Sequence, residues 1–175
     1  QCSDRALSDA ERLGHPFTTT FALVFAAYLR QHLREVEGTL TLTERALAVA
    51  SEHGFLHWKH QATILHGWTL VELGQIDEGL NQIRTGLEGY ETTESWLGCS
   101  WFKGLLADAY VRAGRPDAAL RALDDALTVV ERTEERFLLA EIYRLQGDIK
   151  LTYGDPGTAG DAELNYKRSL EVSRT

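Results

Sequence analysis

Residues Trp96–Arg132 read WLGCSWFKGLLADAYVRAGRPDAALRALDDALTVVER, and this stretch decides the fold. From Trp96 to Arg112 apolar residues recur at helical spacing, with Leu97, Trp101, Leu105 and Ala109 on one stripe and Phe102, Leu106 and Tyr110 beside it. Gly114, Arg115, Pro116 and Asp117 then interrupt the pattern. Glycine takes the left-handed conformation that closes a helix, and proline is tolerated in the first turn of the next. A second helix is expected from Asp117 to Arg132, with Ala119, Leu123, Ala126, Leu127 and Val130 facing inward. Two helices joined by so short a turn pack antiparallel as a hairpin.

The hairpin recurs. Leu7, Leu47, Leu87, Leu127 and Leu170 follow one another at intervals of 40, 40, 40 and 43 residues, and Ala27, Gly67, Ala107 and Gly147 keep an interval of 40 throughout. A fixed period of this length marks a stacked-repeat architecture. Four hairpins are expected in one repeat domain, at 17–55, 56–95, 96–136 and 137–175, behind an orphan second helix within 3–16. The helices within them are placed at Ser3–Leu13, Thr18–Arg34, Leu40–His53, Phe55–Leu73, Glu78–Tyr90, Phe137–Tyr153 and Asp161–Arg174. Glu37-Gly38-Thr39 and Gly74-Gln75-Ile76-Asp77 are read as turns, and a longer turn from Gly154 to Gly160 accounts for the interval of 43.

Glycine inside a helix costs about 1 kcal/mol relative to alanine, so Gly67 and Gly147 call for a packing reason, which close approach of the paired helix supplies. The periodic leucines are expected to fill the space between hairpins, where truncation to alanine costs about 2–5 kcal/mol. Neighbouring repeats supply most of the stability in such an array.

Composition narrows the function. A hydrophobic share of 43% suffices for a sizeable core, and 18 basic against 26 acidic residues give a net charge of −8. Nucleic-acid binders carry basic patches, so this balance argues against one. The longest apolar run, Phe21–Leu29, is far short of the roughly 18 residues that span a bilayer. Cys2 and Cys99 stand alone rather than as a disulfide framework, which points to a reducing, cytoplasmic setting. Lacking Met and opening inside the second helix of a hairpin, the sequence reads as a fragment of a longer protein.

At Leu106-Ala107, Tyr110, Gly114, Ala119, Leu123 and Ala126-Leu127 the spacing resembles the tetratricopeptide repeat. Gly67, Gly74, Ile83 and Leu87 fit the same frame, as do Gly147, Gly154, Ala162, Tyr166 and Leu170. The period of 40 departs from the family's roughly 34, and Lys103 stands where the family has a large aromatic. The resemblance implies an all-α, right-handed α-solenoid of stacked helix hairpins. Gly67–Gly74 and Ala140–Leu145 resemble segments of repeat arrays in bacterial multidomain adenylate or guanylate cyclases with ATPase modules. Arrays of maltose-regulator-type transcriptional regulators are similar. The likeness implies a regulatory or sensory region in a signalling protein.

In such arrays the first helices line a concave face. Mapped onto this sequence, the rows are Phe21, Gln61, Trp101 and Glu141, then Val24, Ile64, Gly104 and Arg144, then Tyr28, Trp68, Asp108 and Asp148. Aromatics supply large binding area at low entropic cost, so a groove for an apolar or aromatic peptide with a basic flank is one reading. The other is that Trp68 and Trp101 are packing residues between repeats. Capture of a terminal carboxylate by Lys and Asn is not expected, because neither occurs in these rows.

Catalytic signals are lacking: no G-x-x-x-x-G-K-[ST] loop and no G-x-S-x-G elbow occurs. Asp108 and Asp148 are a conceivable acid–base pair, but nothing marks a water-excluding pocket around them. Among His53, His57, His60 and His66, the i,i+3 pair His57 and His60 has metal-compatible spacing. With no nearby Cys and only Glu52 as a close acid, no metal site is assigned. The expectation is a non-catalytic interaction scaffold without cofactor, binding a protein or peptide partner, with self-association as the alternative.

Overall fold

A left-handed residue recurs every 20 positions. In the computed structural model, which describes residues 2–174, positive φ occurs at Gly14, Arg34, Gly54, Gly74, Glu94, Gly114 and Glu134, between +56° and +84°. Each falls where a helix ends. At Arg34, Gly74 and Gly114 the next amide reaches back to the carbonyl five residues earlier: Glu35 to Arg30, Gln75 to Leu70 and Arg115 to Tyr110, all at 2.9 Å. This is the Schellman closure, which satisfies carbonyls the helix itself leaves orphaned. One helix and its closure fill 20 residues, so two fill the period of 40.

Nine α-helices result among the described residues, with no strand: α1 Cys2–Leu13, α2 Pro16–His32, α3 Val36–His53, α4 Leu56–Glu72, α5 Ile76–Glu91, α6 Cys99–Arg112, α7 Pro116–Thr133, α8 Leu139–Tyr153 and α9 Ala159–Val172. The chain divides into two compact units, Gln1–Ser95 and Trp96–Thr175. In the first, α2 pairs with α3 and α4 with α5, α3 packs on α4, and α1 lies against α2. In the second, α6 pairs with α7 and α8 with α9, with α7 packed on α8. The fold is an all-α succession of helix hairpins, as the period implied.

Within the first unit Leu23 and Val24 of α2 fill the space between Ala46 of α3 and Ala62 of α4, flanked by Leu7, Leu42, Leu47 and Trp58. The second unit has its own core of Ala119, Leu123, Ala126 and Val130 from α7 with Ile142 and Ile149 from α8. Ala27, Gly67, Ala107 and Gly147 are all buried. Gly67 meets the backbone of Gly79 and the side chain of Ile83, whereas Gly147 meets the ring of Tyr166.

Several expected boundaries are corrected. Glu37-Gly38-Thr39 is not a turn but lies inside α3, because the chain reverses earlier, at Arg34. Ile76 and Asp77 open α5 rather than closing the turn before it. Trp96 and Leu97 precede α6, whose start is fixed at Gly98 (φ +74°), where the amide donates to both carboxylate oxygens of Glu135 at 3.0 Å. After α8 the 20-residue rhythm breaks: Gly154 is extended, and a 3₁₀ turn at Pro156–Thr158 leads into α9. Leu170 keeps its place on α9 but is 56% exposed instead of filling a repeat junction, because α9 is the last helix among the described residues and none packs over that face. Cys2 is exposed, Cys99 is buried, and both are free thiols. No helix among the described residues is long and apolar enough to cross a membrane.

Candidate functional site

Phe17, Phe21, Phe25 and Leu29 follow one another at four-residue steps along α2, so a single stripe of the helix carries them all. Each remains 43–47% exposed, which is unusual for four large apolar side chains in a row. The three phenylalanines rest on Trp58 of α4, with ring centroids 6.0 Å from Phe17, 5.3 Å from Phe21 and 6.2 Å from Phe25. Edge-to-face contact at Phe17 and Phe21 and a tilted contact at Phe25 order the rings, which stay part-exposed. Together with Ala6, Ala10 and Leu13 of α1, Phe21, Phe25 and Leu29 border an apolar groove of about 460 Å³. Asp4 fixes the far end of α1 to Arg30 of α2 at 2.8 Å, and the Thr19 hydroxyl donates to the Ala10 carbonyl at 3.3 Å.

The expected rows are only partly at the surface. Phe21 belongs to the open stripe, but Val24, Gln61, Ile64 and Trp68 are buried and Trp101 is 8% exposed. For these five the groove reading is corrected: Val24 belongs to the α2–α3–α4 core, and Ile64 packs where Gly86 lets α5 come close. Trp101 stacks on Phe102 with centroids 5.3 Å apart. Trp68 buries an indole N–H that finds no acceptor. The physical reason is cover by neighbouring helices: α3 and α4 close over Val24, and α5 closes over Ile64 and Gln61.

Gln61 and Tyr28 are brought together. The Tyr28 hydroxyl donates to Gln61 Oε1 at 2.8 Å, and Gln61 Nε2 donates to the Tyr90 oxygen at 3.2 Å and lies 2.8 Å from His57 Nε2. Since the amide nitrogen is a donor, His57 Nε2 is an acceptor and the ring is neutral. Burial, with a smaller contribution from His60, holds the His57 pKa below its ordinary value. This polar network ties α2, α4 and α5 and satisfies groups that burial leaves no water to serve.

In the second unit Glu141, Arg144 and Asp148 form one cluster. Arg144 donates twice to Glu141, at 2.7 and 2.6 Å, and also to Asp148, whose other oxygen accepts from the Tyr166 hydroxyl at 2.7 Å. The hydrogen bonds to Glu141 are the largest cause of a raised Arg144 pKa, and the bond to Asp148 raises that of Tyr166. Asp108 pairs with Arg112 at 3.4 Å. Asp108 and Asp148 therefore each serve a local partner, which leaves neither poised as an acid or base. Gly104 of the same rows is buried, yet a β-carbon added there would meet nothing within 4 Å.

The histidines diverge. His53 stacks on Phe55, the His60 ring occupies the space over Gly89, and His66 Nδ1 meets Gln82 Oε1 at 2.7 Å. No three metal-ligating side chains converge among the described residues. What sequence reasoning missed is the α2 stripe beyond Phe21. Its signal, phenylalanines at 17, 21 and 25, stands in the open in FTTTFALVF.

No protein-family model and no curated protein matches the sequence. Solved structures do. A Rap protein complexed with Competence and Sporulation Factor is 13% identical with a TM-score of 0.77, over 89% of this chain and 43% of that one. BtubC from P. vanneervenii is 16% identical with a TM-score of 0.74, over 98% of this chain and 70% of that one. A signal-transduction ATPase with numerous domains and a tetratricopeptide repeat sensor, from Pyrococcus horikoshii, is 13% identical with a TM-score of 0.69. It is covered over 27% of its length by 98% of this chain. At these identities the likeness concerns the fold, and that fold is the tetratricopeptide-like helical repeat array.

Proposed function

We propose that the protein is a non-catalytic interaction scaffold that holds an apolar segment of a protein partner against the exposed stripe of α2. The observation that carries this reading is the run Phe17, Phe21, Phe25 and Leu29, half-open to solvent and backed by Trp58. Contiguous exposed apolar surface of this kind marks interaction sites in soluble proteins. Large rigid rings contribute contact area at small entropic cost. The structural neighbour complexed with Competence and Sporulation Factor and the neighbour with a repeat sensor are in keeping with such a role. In this reading residues 1–175 are one repeat domain of a cytoplasmic bacterial signalling protein, its sensory or regulatory region. The cyclase or transcriptional output would lie in other modules. Neither cofactor nor metal is required.

Tyr28 borders the site, and Asp108, Glu141, Arg144 and Asp148 would offer polar contacts of their own on the second unit. Self-association is a second reading, favoured by Leu151, Tyr153, Leu164 and Leu170, which are exposed on α8 and α9. Selection of binding segments from a displayed peptide library, followed by anisotropy titration, tests the main reading. Phe21→Glu and Phe25→Glu alter exposed positions and are expected to weaken the selected binders at least tenfold with an unchanged helical circular-dichroism spectrum. Binders indifferent to both substitutions would refute it, and sedimentation of the chain alone reads out self-association.

A further inference from the structure

The Gln61 amide lies at the centre of a chain of hydrogen bonds that can run in two directions. Tyr28 of α2 donates to its Oε1 at 2.8 Å, while its Nε2 donates to Tyr90 of α5 at 3.2 Å and to His57 Nε2 of α4 at 2.8 Å. Tyr90 is in turn 3.0 Å from the Ser95 hydroxyl, and either of these two can be the donor. Gln61 is 4% exposed, so protein groups rather than bulk water must serve it. The oxygen and nitrogen of a carboxamide have nearly the same shape, and half a turn of the amide exchanges donor for acceptor without disturbing the packing. After that turn Oε1 lies where Nε2 was and accepts from Tyr90 and from a protonated His57 Nε2. Nε2 then lies where Oε1 was and donates to the Tyr28 oxygen, and Ser95 donates to Tyr90. Every contact in the chain survives with its direction reversed, because a hydroxyl both donates and accepts.

We infer that Gln61 is a proton-driven relay: protonation of His57 turns the amide over and converts Tyr28, on the neighbouring helix, from hydrogen-bond donor to acceptor. An incompatibility drives the turn. A neutral ring leaves Nε2 bare to accept from the amide, whereas an imidazolium carries N–H on both nitrogens. Two donors cannot face each other in a buried setting, so the amide presents its oxygen instead. Around the ring stand Trp58 of α4, in edge contact at 4.7 Å, and Tyr90 of α5 at 5.1 Å. The charge that acts on His57 is that of His60 on its own helix, while Lys59 acts on His60. α3, which also packs on α4, ends in His53, whose ring stacks on Phe55. Burial and His60 both favour the neutral ring, which puts the switch on the acid side of the ordinary histidine value of 6.5. At its far end the chain reaches Tyr28, whose ring packs against Phe25 with centroids 5.6 Å apart. A proton taken up on α4 is thereby registered on α2, whatever the α2 stripe binds.

Nuclear magnetic resonance of the isotope-labelled whole chain, titrated from neutral pH down through the His57 transition, tests the relay. Above the transition the ring is expected as the Nδ1–H tautomer, with a scalar coupling between Gln61 Nε2 and His57 Nε2 across their N–H···N bond. Below it that coupling is lost, and the Gln61 amide protons and the Tyr28 and Tyr90 ring signals shift with the His57 midpoint. Gln61→Met removes the relay and is expected to leave Tyr28 without that midpoint while His57 still titrates. The coupling and the shared midpoint are read on the unaltered chain, so loss of folding in the variant cannot mimic either result. A Gln61 amide that keeps its signals while His57 titrates overturns the inference, as does a coupling absent at every pH. A Tyr28 response that persists in Gln61→Met shows that the charge acts directly and overturns it too. So does cooperative unfolding of the chain before His57 takes up its proton.

Discussion

Gly67 and Gly79 meet backbone to backbone across the α4–α5 hairpin: a β-carbon on Gly67 would lie 2.8 Å from the Gly79 oxygen, and one on Gly79 would lie 2.6 Å from the Gly67 oxygen. Neither contact can relax by turning a side chain. Gly67→Ala is therefore expected to destabilise the protein by about 1–3 kcal/mol, although alanine is intrinsically the better helix former by about 1 kcal/mol. Gly104, in the middle of α6, has nothing within 4 Å of its would-be β-carbon. There Gly104→Ala is expected to stabilise by about 0.5–1 kcal/mol. Urea unfolding of the two variants should move in opposite directions, and parallel shifts would contradict the close-approach account.

Glu134 closes α7 in the left-handed conformation, with φ +58°, where Gly54 closes α3 with φ +70°. A β-carbon makes that region costly, by about 1–2 kcal/mol. Glu134→Gly is expected to raise stability by about 1 kcal/mol and Gly54→Ala to lower it by a similar amount, read as the urea midpoint.

Leu87 and Leu170 belong to one periodic series yet differ in burial, at 5% and 56% exposed. Leu87→Ala is expected to cost about 2–5 kcal/mol. Leu170→Ala is expected to stay within about 0.5 kcal/mol of the parent. Equal losses would mean that α9 is docked differently.

Burial holds the pKa values of His32, His57 and His60 below the ordinary 6.5. As pH falls through that value the unfolded chain takes up protons that the folded chain resists, so stability is full above about pH 7 and declines toward pH 5. His57→Gln keeps an acceptor for Gln61 without a titrating ring and is expected to flatten the decline measured between pH 7.5 and 5.5. An unchanged slope would remove His57 from the effect.

The period of 40 made the hairpins legible before any coordinates, because Gly74, Gly114 and Pro116 announce closures that local backbone chemistry enforces. The closures at Arg34 and Glu134 gave no such notice: a non-glycine residue takes the left-handed turn there, so α3 was expected to begin too late. The site was less legible. Rows carried over by resemblance treat every first helix alike, whereas burial depends on which neighbours cover it. Trp68 and Phe21 share helical spacing but not surroundings, and of the two only Phe21 is exposed. Leu170 was misplaced for a different reason: it keeps its position on α9, but no further helix among the described residues covers that face.

Backbone amide chemical-shift mapping of the whole chain with a library-selected partner segment tests the central claim most directly. The account predicts changes concentrated in residues 3–29, strongest around Ala6, Phe21 and Phe25. Changes confined to the Glu141–Arg144–Asp148 cluster, or spread evenly over both units, would contradict it.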